Sequence, residues 1–107
     1  MPSNTVVIPS LDINVASNGD NSIIPAIADK KIYVWKLWLV ANAAVSVKLR
    51  DGTTDFNGFA IPLTAQGSSI TFFYDHVPYW ETSKGNAFQI NLSGAVQVTG
   101  RIYYTYE

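Results

Sequence analysis

The segment from Lys31 to Ala41, KIYVWKLWLVA, constrains the fold most, because apolar side chains occur on both of its faces. Counted with the period of two that a β-strand imposes, one face holds Tyr33, Trp35, Leu37, Leu39 and Ala41, and the other holds Ile32, Val34, Lys36, Trp38 and Val40. A strand of this kind must be covered on both sides. In so short a chain, one cover is a second sheet of the same chain, and a second copy of the chain can supply the other.

Short stretches that alternate apolar with polar residues recur along the chain at intervals of roughly ten residues, with turn residues between them. Four clear examples are Leu11 to Val15, Val45 to Leu49, Phe88 to Leu92 and Val96 to Tyr106. No window has the period of an amphipathic helix. The pattern predicts an all-β protein, an antiparallel β-sandwich of jelly-roll-like topology with about eight strands. Gly100 falls on the inward side of its strand, which predicts a bulge or a close neighbour there.

Length and charge limit the organisation and the partners. With 107 residues the chain is expected to form a single β-sandwich domain, residues 1–107. Seven basic and eight acidic residues leave a net charge of -1, so we expect no nucleic-acid partner. We find neither a signal peptide nor an apolar run long enough for a membrane span, so no membrane partner is expected.

The residues that usually perform chemistry do not form a recognisable set. His76 is the only histidine, and the chain contains no cysteine. A lone histidine beside Asp75 does not supply the ligands of a metal site. None of the serines lies in a strained nucleophile turn, and the eight carboxylates are dispersed. The sequence therefore predicts no catalytic residue, no metal site and no cofactor, and we expect that the protein is not an enzyme.

The second face of the Lys31 to Ala41 segment contains a candidate subunit interface. A lysine between two apolar side chains is difficult to bury in a core, but it is easily accommodated at the rim of an interface. The candidate interface residues are Val34, Lys36 and Trp38.

Three further aromatic residues are candidates for contact with a partner protein or a glycan. Tyr79 and Trp80 lie in a predicted loop next to Pro78, and Tyr103 has outward parity in its strand. Exposed aromatic rings are a common means by which β-proteins hold sugars or proteins. The alternative is that the loop aromatics fold back over the open end of the sandwich and pack there. The sequence leaves both interpretations open.

From Lys31 onward the chain has a series of packing and turn patterns: Lys31 to Asn42, Val45 to Val47, Asp51 to Thr54, Pro62-Leu63, Trp80 to Thr82 with Gly85, and Asn91 to Tyr104. In these patterns the chain resembles a group of small phage-encoded proteins. It implies a non-enzymatic virion structural protein with a β-sandwich fold, of the homo-oligomeric capsid decoration (cement) type. A carbohydrate- or receptor-binding module of a head or tail fibre is the alternative.

The resemblance also implies partners and a location. The partners would be other copies of the chain, with a trimer favoured, and a phage capsid or tail protein. The location would be the virion, after synthesis in the host cytoplasm without a signal peptide. Residues 1–30 lie outside the similarity and are expected to form an arm that reaches a partner subunit, with Thr5 to Val15 in contact with it. The patterns contain no site motif, so they assign no residue a role.

Overall fold

Ten β-strands make up most of the chain that the computed structural model describes, which comprises residues 9–56, 60–73 and 78–107. They are Ser10–Val15 (β1), Gly19–Ile24 (β2), Ile32–Ala41 (β3), Val45–Asp51 (β4), Thr54–Asp55 (β5), Ile61–Leu63 (β6), Ser69–Phe73 (β7), Trp80–Glu81 (β8), Phe88–Leu92 (β9) and Val98–Tyr106 (β10). The prediction of an all-β protein is confirmed. The count exceeds the expected eight because β5 and β8 are additional strands of two residues each. None of the described residues belongs to a helix suited to crossing a bilayer.

The strands form two antiparallel sheets with the connectivity of a jelly roll. The first sheet has the order β1-β10-β3-β7, and β8 also pairs with β3. The second has the order β2-β9-β4-β5, and β6 also pairs with β4. The chain passes from one sheet to the other at most connections, and its first and last strands are neighbours in the first sheet. This order is that of the predicted jelly-roll sandwich.

The core lies between the two sheets and is built almost equally by both. From the first sheet it includes Ile13, Ile32, Val34, Leu37, Leu39, Ala41, Val98 and Ile102. From the second sheet it includes Ile24, Val45, Val47, Leu49, Phe88, Ile90 and Leu92, with Leu63 on β6. In β4, β9 and the first half of β10, alternate residues enter this layer, as the pleat of a sheet requires.

A β-bulge in β3 changes which of its residues face the core. Tyr103 of β10 lies opposite Lys36, but the next residue, Tyr104, lies opposite Val34, so Trp35 is the extra residue. The core-facing residues before the bulge are therefore Ile32 and Val34, and those after it are Leu37, Leu39 and Ala41. The prediction that one uninterrupted alternation runs through this strand is wrong.

The bulge removes Val34 from the candidate subunit interface. Val34 is completely buried within the core of its own chain, whereas Trp38 is 37% exposed on the outer face of the same sheet. The expectation that Val34 and Trp38 lie on one face is thus wrong, because the extra residue between them reverses the parity of the strand. Lys36 and Trp38 remain on the outer face.

The amino-terminal part of the chain belongs to the sandwich wherever it is described. Strand β1 pairs with β10, and Ile13 is buried in the core. Strand β2 pairs with β9 and begins at Gly19. Residues 10–24 are therefore integral strands and do not form an arm, because their alternate apolar side chains complete both sheets. Thr5 to Ile8, the remainder of the predicted contact segment, lie outside the described residues.

The outer face of the second sheet is polar, and its side chains bond to one another. Arg50 donates two hydrogen bonds to the Asp20 carboxylate, at 3.1 and 3.2 Å, and Asn91 Nδ2 donates another at 2.8 Å. Arg50 Nε also lies 2.9 Å from Asp55 Oδ1. The hydrogen bond from Asn91, together with those from Arg50, lowers the pKa of Asp20. This network links β2, β9 and β4.

Candidate functional site

Most carboxylates of the described residues take part in structural contacts. Asp51 accepts hydrogen bonds from Ser83 and Asn86, and Glu81 forms an ion pair with Lys31 at 3.2 Å. Among residues 9–56, 60–73 and 78–107, no three histidine, cysteine or acidic side chains are grouped closely enough to hold a metal ion. Asp75 and His76 lie outside those ranges.

The outer face of the first sheet is aromatic. The register places Phe73, Lys36 and Tyr103 in one row across β7, β3 and β10. The next row contains Trp38 and Arg101. Phe73 is 57% exposed and Trp38 is 37% exposed, so two large apolar rings in adjacent rows of this face are open to solvent. We call these five residues the aromatic face.

The two cations of the aromatic face lie over its rings. Lys36 Nζ is 5.3 Å from the centroid of the Phe73 ring and 5.6 Å from that of Tyr103. The guanidinium carbon of Arg101 is 5.8 Å from the centre of the Tyr103 ring. All three distances are within the range of cation–π attraction. Each cation thus lies close to at least one ring of the same face.

Neighbouring polar residues hold this face in position. Arg101 contacts the carboxylate of Asp12 and donates a hydrogen bond to Ser10 Oγ at 2.8 Å, so β1 restrains the guanidinium. At the bulge, Trp35 Nε1 donates to Thr105 Oγ1 at 2.9 Å. These contacts restrain side chains at the edge of the aromatic face.

The predicted aromatic contact residues are divided between two places. Trp80 lies opposite Val34 and therefore points to the inner side of the first sheet. Its ring is 4.6 Å from Phe72 and 6.0 Å from Phe56, which in turn packs on the core residue Phe88. This position corresponds to the packing alternative that the sequence left open.

Tyr79 and Tyr103, the other two predicted aromatic contact residues, lie on opposite sides of the first sheet. Tyr79 lies against Trp80, with 4.5 Å between ring centroids, and is 44% exposed. Tyr103 belongs to the aromatic face, on the opposite side of the sheet from Trp80. The three rings thus do not form one platform. The structure brings Tyr103 together with Lys36 and Trp38 instead.

Phe73 and Arg101 belong to the aromatic face but were not predicted from the sequence. For each of them, the sequence contains a pattern that could have indicated an outward position. Phe73 occupies the outward parity of a strand whose inward residues are Ile70 and Phe72, so a large ring stands where a polar residue is usual. Arg101 shares its parity with Tyr103. Only the pairing of β7 and β10 with β3 shows that these residues lie beside Trp38.

Comparisons with known proteins add no family. No protein-family model matches the chain, and no curated protein matches it significantly. Among solved structures, it is similar to one described as "Crystal structure of PirA", with 15% sequence identity, a TM-score of 0.42, and coverage of 96% of this chain and 99% of that one. No functional inference rests on so distant a similarity. The observed connectivity defines the class of the protein as an all-β jelly-roll sandwich.

Proposed function

We propose that this protein is a non-enzymatic structural component of a phage particle, a capsid decoration protein that associates with other copies of itself through the aromatic face. The observation that carries the self-association is the pair of exposed rings, Trp38 and Phe73, beside Lys36 on one sheet. Assignment to a phage particle rests on the sequence resemblance. The jelly-roll fold, which is common in viral capsid proteins, agrees with it.

The composition of the aromatic face supports contact with a protein. Buried centres of interfaces are enriched in aromatic residues and arginine and depleted in acidic residues. The outer face of the second sheet is less suited to such contact. It is polar, and its charged side chains form ion pairs with one another, as Arg50 does with Asp20. Removal of the aromatic face from water would therefore gain free energy from apolar burial and leave few charges unpaired.

A second copy of the chain is the occupant that this face fits. Its charges and rings are mutually complementary, since the cations of one copy can lie over the rings of another. Arg101 is already neutralised by Asp12, so two such faces repel each other only weakly. Closed homo-oligomers reuse one surface in this way. The resemblance favours a trimer.

A decoration protein binds its lattice with many copies at once. Each contact can then be weak, because avidity multiplies the affinity of the assembly. Charged residues make up only 14% of this chain, against about 25% in an average protein. A surface with few charges is adequate for such contacts.

Size-exclusion chromatography with light scattering tests the assembly. We expect the wild type to elute with a mass above the 11.7 kDa of one chain, about 35 kDa for a trimer. Trp38→Ala and Phe73→Ala should shift the mass toward 11.7 kDa while the free energy of unfolding of the subunit changes by less than about 1 kcal/mol.

The matched control is Tyr106→Ala, which removes a ring that is 50% exposed and lies off the aromatic face. The control should leave the mass unchanged. A wild type that remains a single chain throughout the micromolar range, or a control that dissociates as Trp38→Ala does, would overturn the assembly.

Immunogold labelling of purified particles tests the structural role. Antibodies against the protein should label the heads of particles released by the host that carries the gene. Label at the tail would support the fibre alternative instead. Unlabelled particles would overturn both.

A further inference from the structure

At one end of the sandwich, the described connections between strands carry no charged side chain. The strand register places four connections together at this end, because Val98 lies opposite both Val15 and Ala41, and Val40 lies opposite Ser69. The connections comprise residues 16–18, 42–44, 64–68 and 93–97, and none contains a lysine, arginine, aspartate or glutamate. The opposite end has charged residues such as Lys31, Glu81 and Glu107. Anionic ligands need cationic partners, so this uncharged end is suited to a neutral ligand.

A cleft of about 260 Å³ opens at this uncharged end, where β3 turns toward β4. Its polar lining consists of three amides and one hydroxyl, and its apolar lining consists of small side chains. These residues are Asn42, Gln66, Gln97 and Thr99, with Val40 and Ala41. Sites for drug-sized ligands usually have about 300–1,000 Å³, so this cleft matches a smaller molecule, about one sugar ring.

The amides of the cleft retain hydrogen-bonding capacity. Gln66 Nε2 donates to Asn42 Oδ1 across 3.4 Å, and Gln97 Nε2 donates to Asn14 Oδ1 at 3.1 Å. Each amide has two donor hydrogens and an oxygen that can accept two bonds. Within the described part of the chain, the Asn42 amino group and Gln97 Oε1 have no hydrogen-bond partner. Donors and acceptors are therefore both available to a ligand.

Backbone hydrogen bonds hold the walls of the cleft in position. Asn42 N donates to Gln97 O at 2.9 Å, and Gly67 N donates to Ala41 O at 2.8 Å. Ala41 N donates to Ser68 O at 2.9 Å. Three separate connections are thus tied together beneath the amides. A site that is already formed loses little entropy when a ligand binds.

We propose that this cleft is a binding site for a neutral sugar. Each amide pairs a donor with an acceptor and can bond two neighbouring hydroxyl groups of a pyranose, while Val40 offers apolar contact to its C–H groups. With no cation in the lining, the cleft disfavours phosphate and carboxylate ligands. The site is distinct from the Tyr79 and Trp80 cluster.

This proposal does not rest on self-association. Val40 and Thr99 form the row next to Trp38 and Arg101, so the cleft lies at the rim of the aromatic face. A ligand could enter from the end of the sandwich even in an assembly. Measurement in both the wild type and Trp38→Ala separates the two proposals, because loss of assembly should leave sugar binding unchanged.

Titration of ¹⁵N-labelled protein, followed by NMR, tests the site. The probes are the methyl glycosides of glucose, galactose, mannose and N-acetylglucosamine. We expect at least one to give saturable shifts of the side-chain amides of Asn42, Gln66 and Gln97, with a dissociation constant of about 1–10 mM. Inorganic phosphate should give none.

Three single variants identify the groups responsible. Gln97→Ala and Asn42→Ala should each weaken binding about tenfold or more, the loss of one hydrogen-bonding partner. Gln66→Ala changes a residue in an exposed loop, so it still tests the site if either of the other two variants fails to fold. Asn18→Ala is the matched control, since it removes an exposed amide at the same end outside the cleft, and it should bind as the wild type does. Absence of saturable shifts with all four glycosides, or equal binding by all variants, would overturn the proposal.

Discussion

At Gly100 the backbones of two strands approach so closely that only a hydrogen atom fits between them. This residue lies in the middle of β10, opposite Leu39 of β3. A Cβ atom built there would be 1.9 Å from the carbonyl oxygen of Trp38 and 3.1 Å from the Cα of Leu39. The close neighbour that the parity of Gly100 predicted is thus confirmed as the backbone of the central strand.

Gly100→Ala should destabilise the fold by about 3 kcal/mol or more, because the added methyl group meets main-chain atoms that cannot rotate away. The control is Gly94→Ala, where a Cβ would meet nothing within 4 Å, and its effect should be below about 1 kcal/mol. Urea unfolding curves measure both. Equal losses in the two variants would contradict the close approach of β10 to β3.

The hydrogen bonds that Asp20 accepts from Asn91 and Arg50 should make the free energy of unfolding depend on pH. The pKa of Asp20 is lowered in the folded protein from 3.8, so the ionised form stabilises the fold above that pH, and the stabilisation is lost as the pH falls through the folded pKa. At pH 7, Asp20→Asn should therefore be less stable than the wild type. The difference should shrink as the pH is lowered below 3.8.

Denaturant midpoints of the wild type and of Asp20→Asn, measured from pH 7 down to pH 2, test this dependence. A difference that stays constant over the whole range would show that the charge of Asp20 contributes nothing to stability.

Among the elements, β3 determines the chemistry of both faces of the first sheet. The bulge at Trp35 allows one strand to give Ile32 and Val34 to the core at one end and Leu37 and Leu39 at the other. Without the extra residue, one of these two pairs would face solvent. The same shift places Lys36 and Trp38 on the outer face, so the bulge creates the aromatic face as well as completing the core.

Two identical substitutions on β3 test the bulge. Val34 is completely buried, so Val34→Ala should cost about 2 kcal/mol from the lost methyl groups and the cavity they leave. Val40 lies on the outer face, and Val40→Ala should cost less than about 1 kcal/mol. Under a strict alternation the two valines would share one face. Equal losses in urea unfolding would therefore contradict the shift of parity.

For the whole molecule, the connectivity brings together residues that are far apart in the sequence. Trp38 comes from β3, Phe73 from β7 and Tyr103 from β10, and they share one face only because β7 and β10 both pair with β3. The uncharged end arises in the same way from four separate connections. Both candidate sites are thus products of the topology, and neither is visible as a local motif.

The sequence by itself determined the fold class and part of the outer face. Alternation with a period of two, turn residues about every ten positions and the lack of a helical period follow from local geometry, so they can be read without a structure. For the same reason, Lys36, Trp38 and Tyr103 were recognised as outward residues. The inward position of Gly100 was equally accessible.

Only the tertiary structure decided three features. These are the point in β3 at which the alternation of inward and outward residues reverses, the inclusion of residues 10–24 in the sheets, and the grouping of distant residues into the candidate sites. In Lys31 to Ala41 both faces are apolar, so the pattern cannot reveal where the alternation reverses. The reversal becomes favourable only when the second sheet supplies a core that Val34 and Leu37 can both enter. Alternation is a property of neighbouring residues, whereas strand pairing depends on the free energy of contacts between residues that are distant in the chain. Those contacts determine the position of the bulge, the partners of each strand and the surfaces that result.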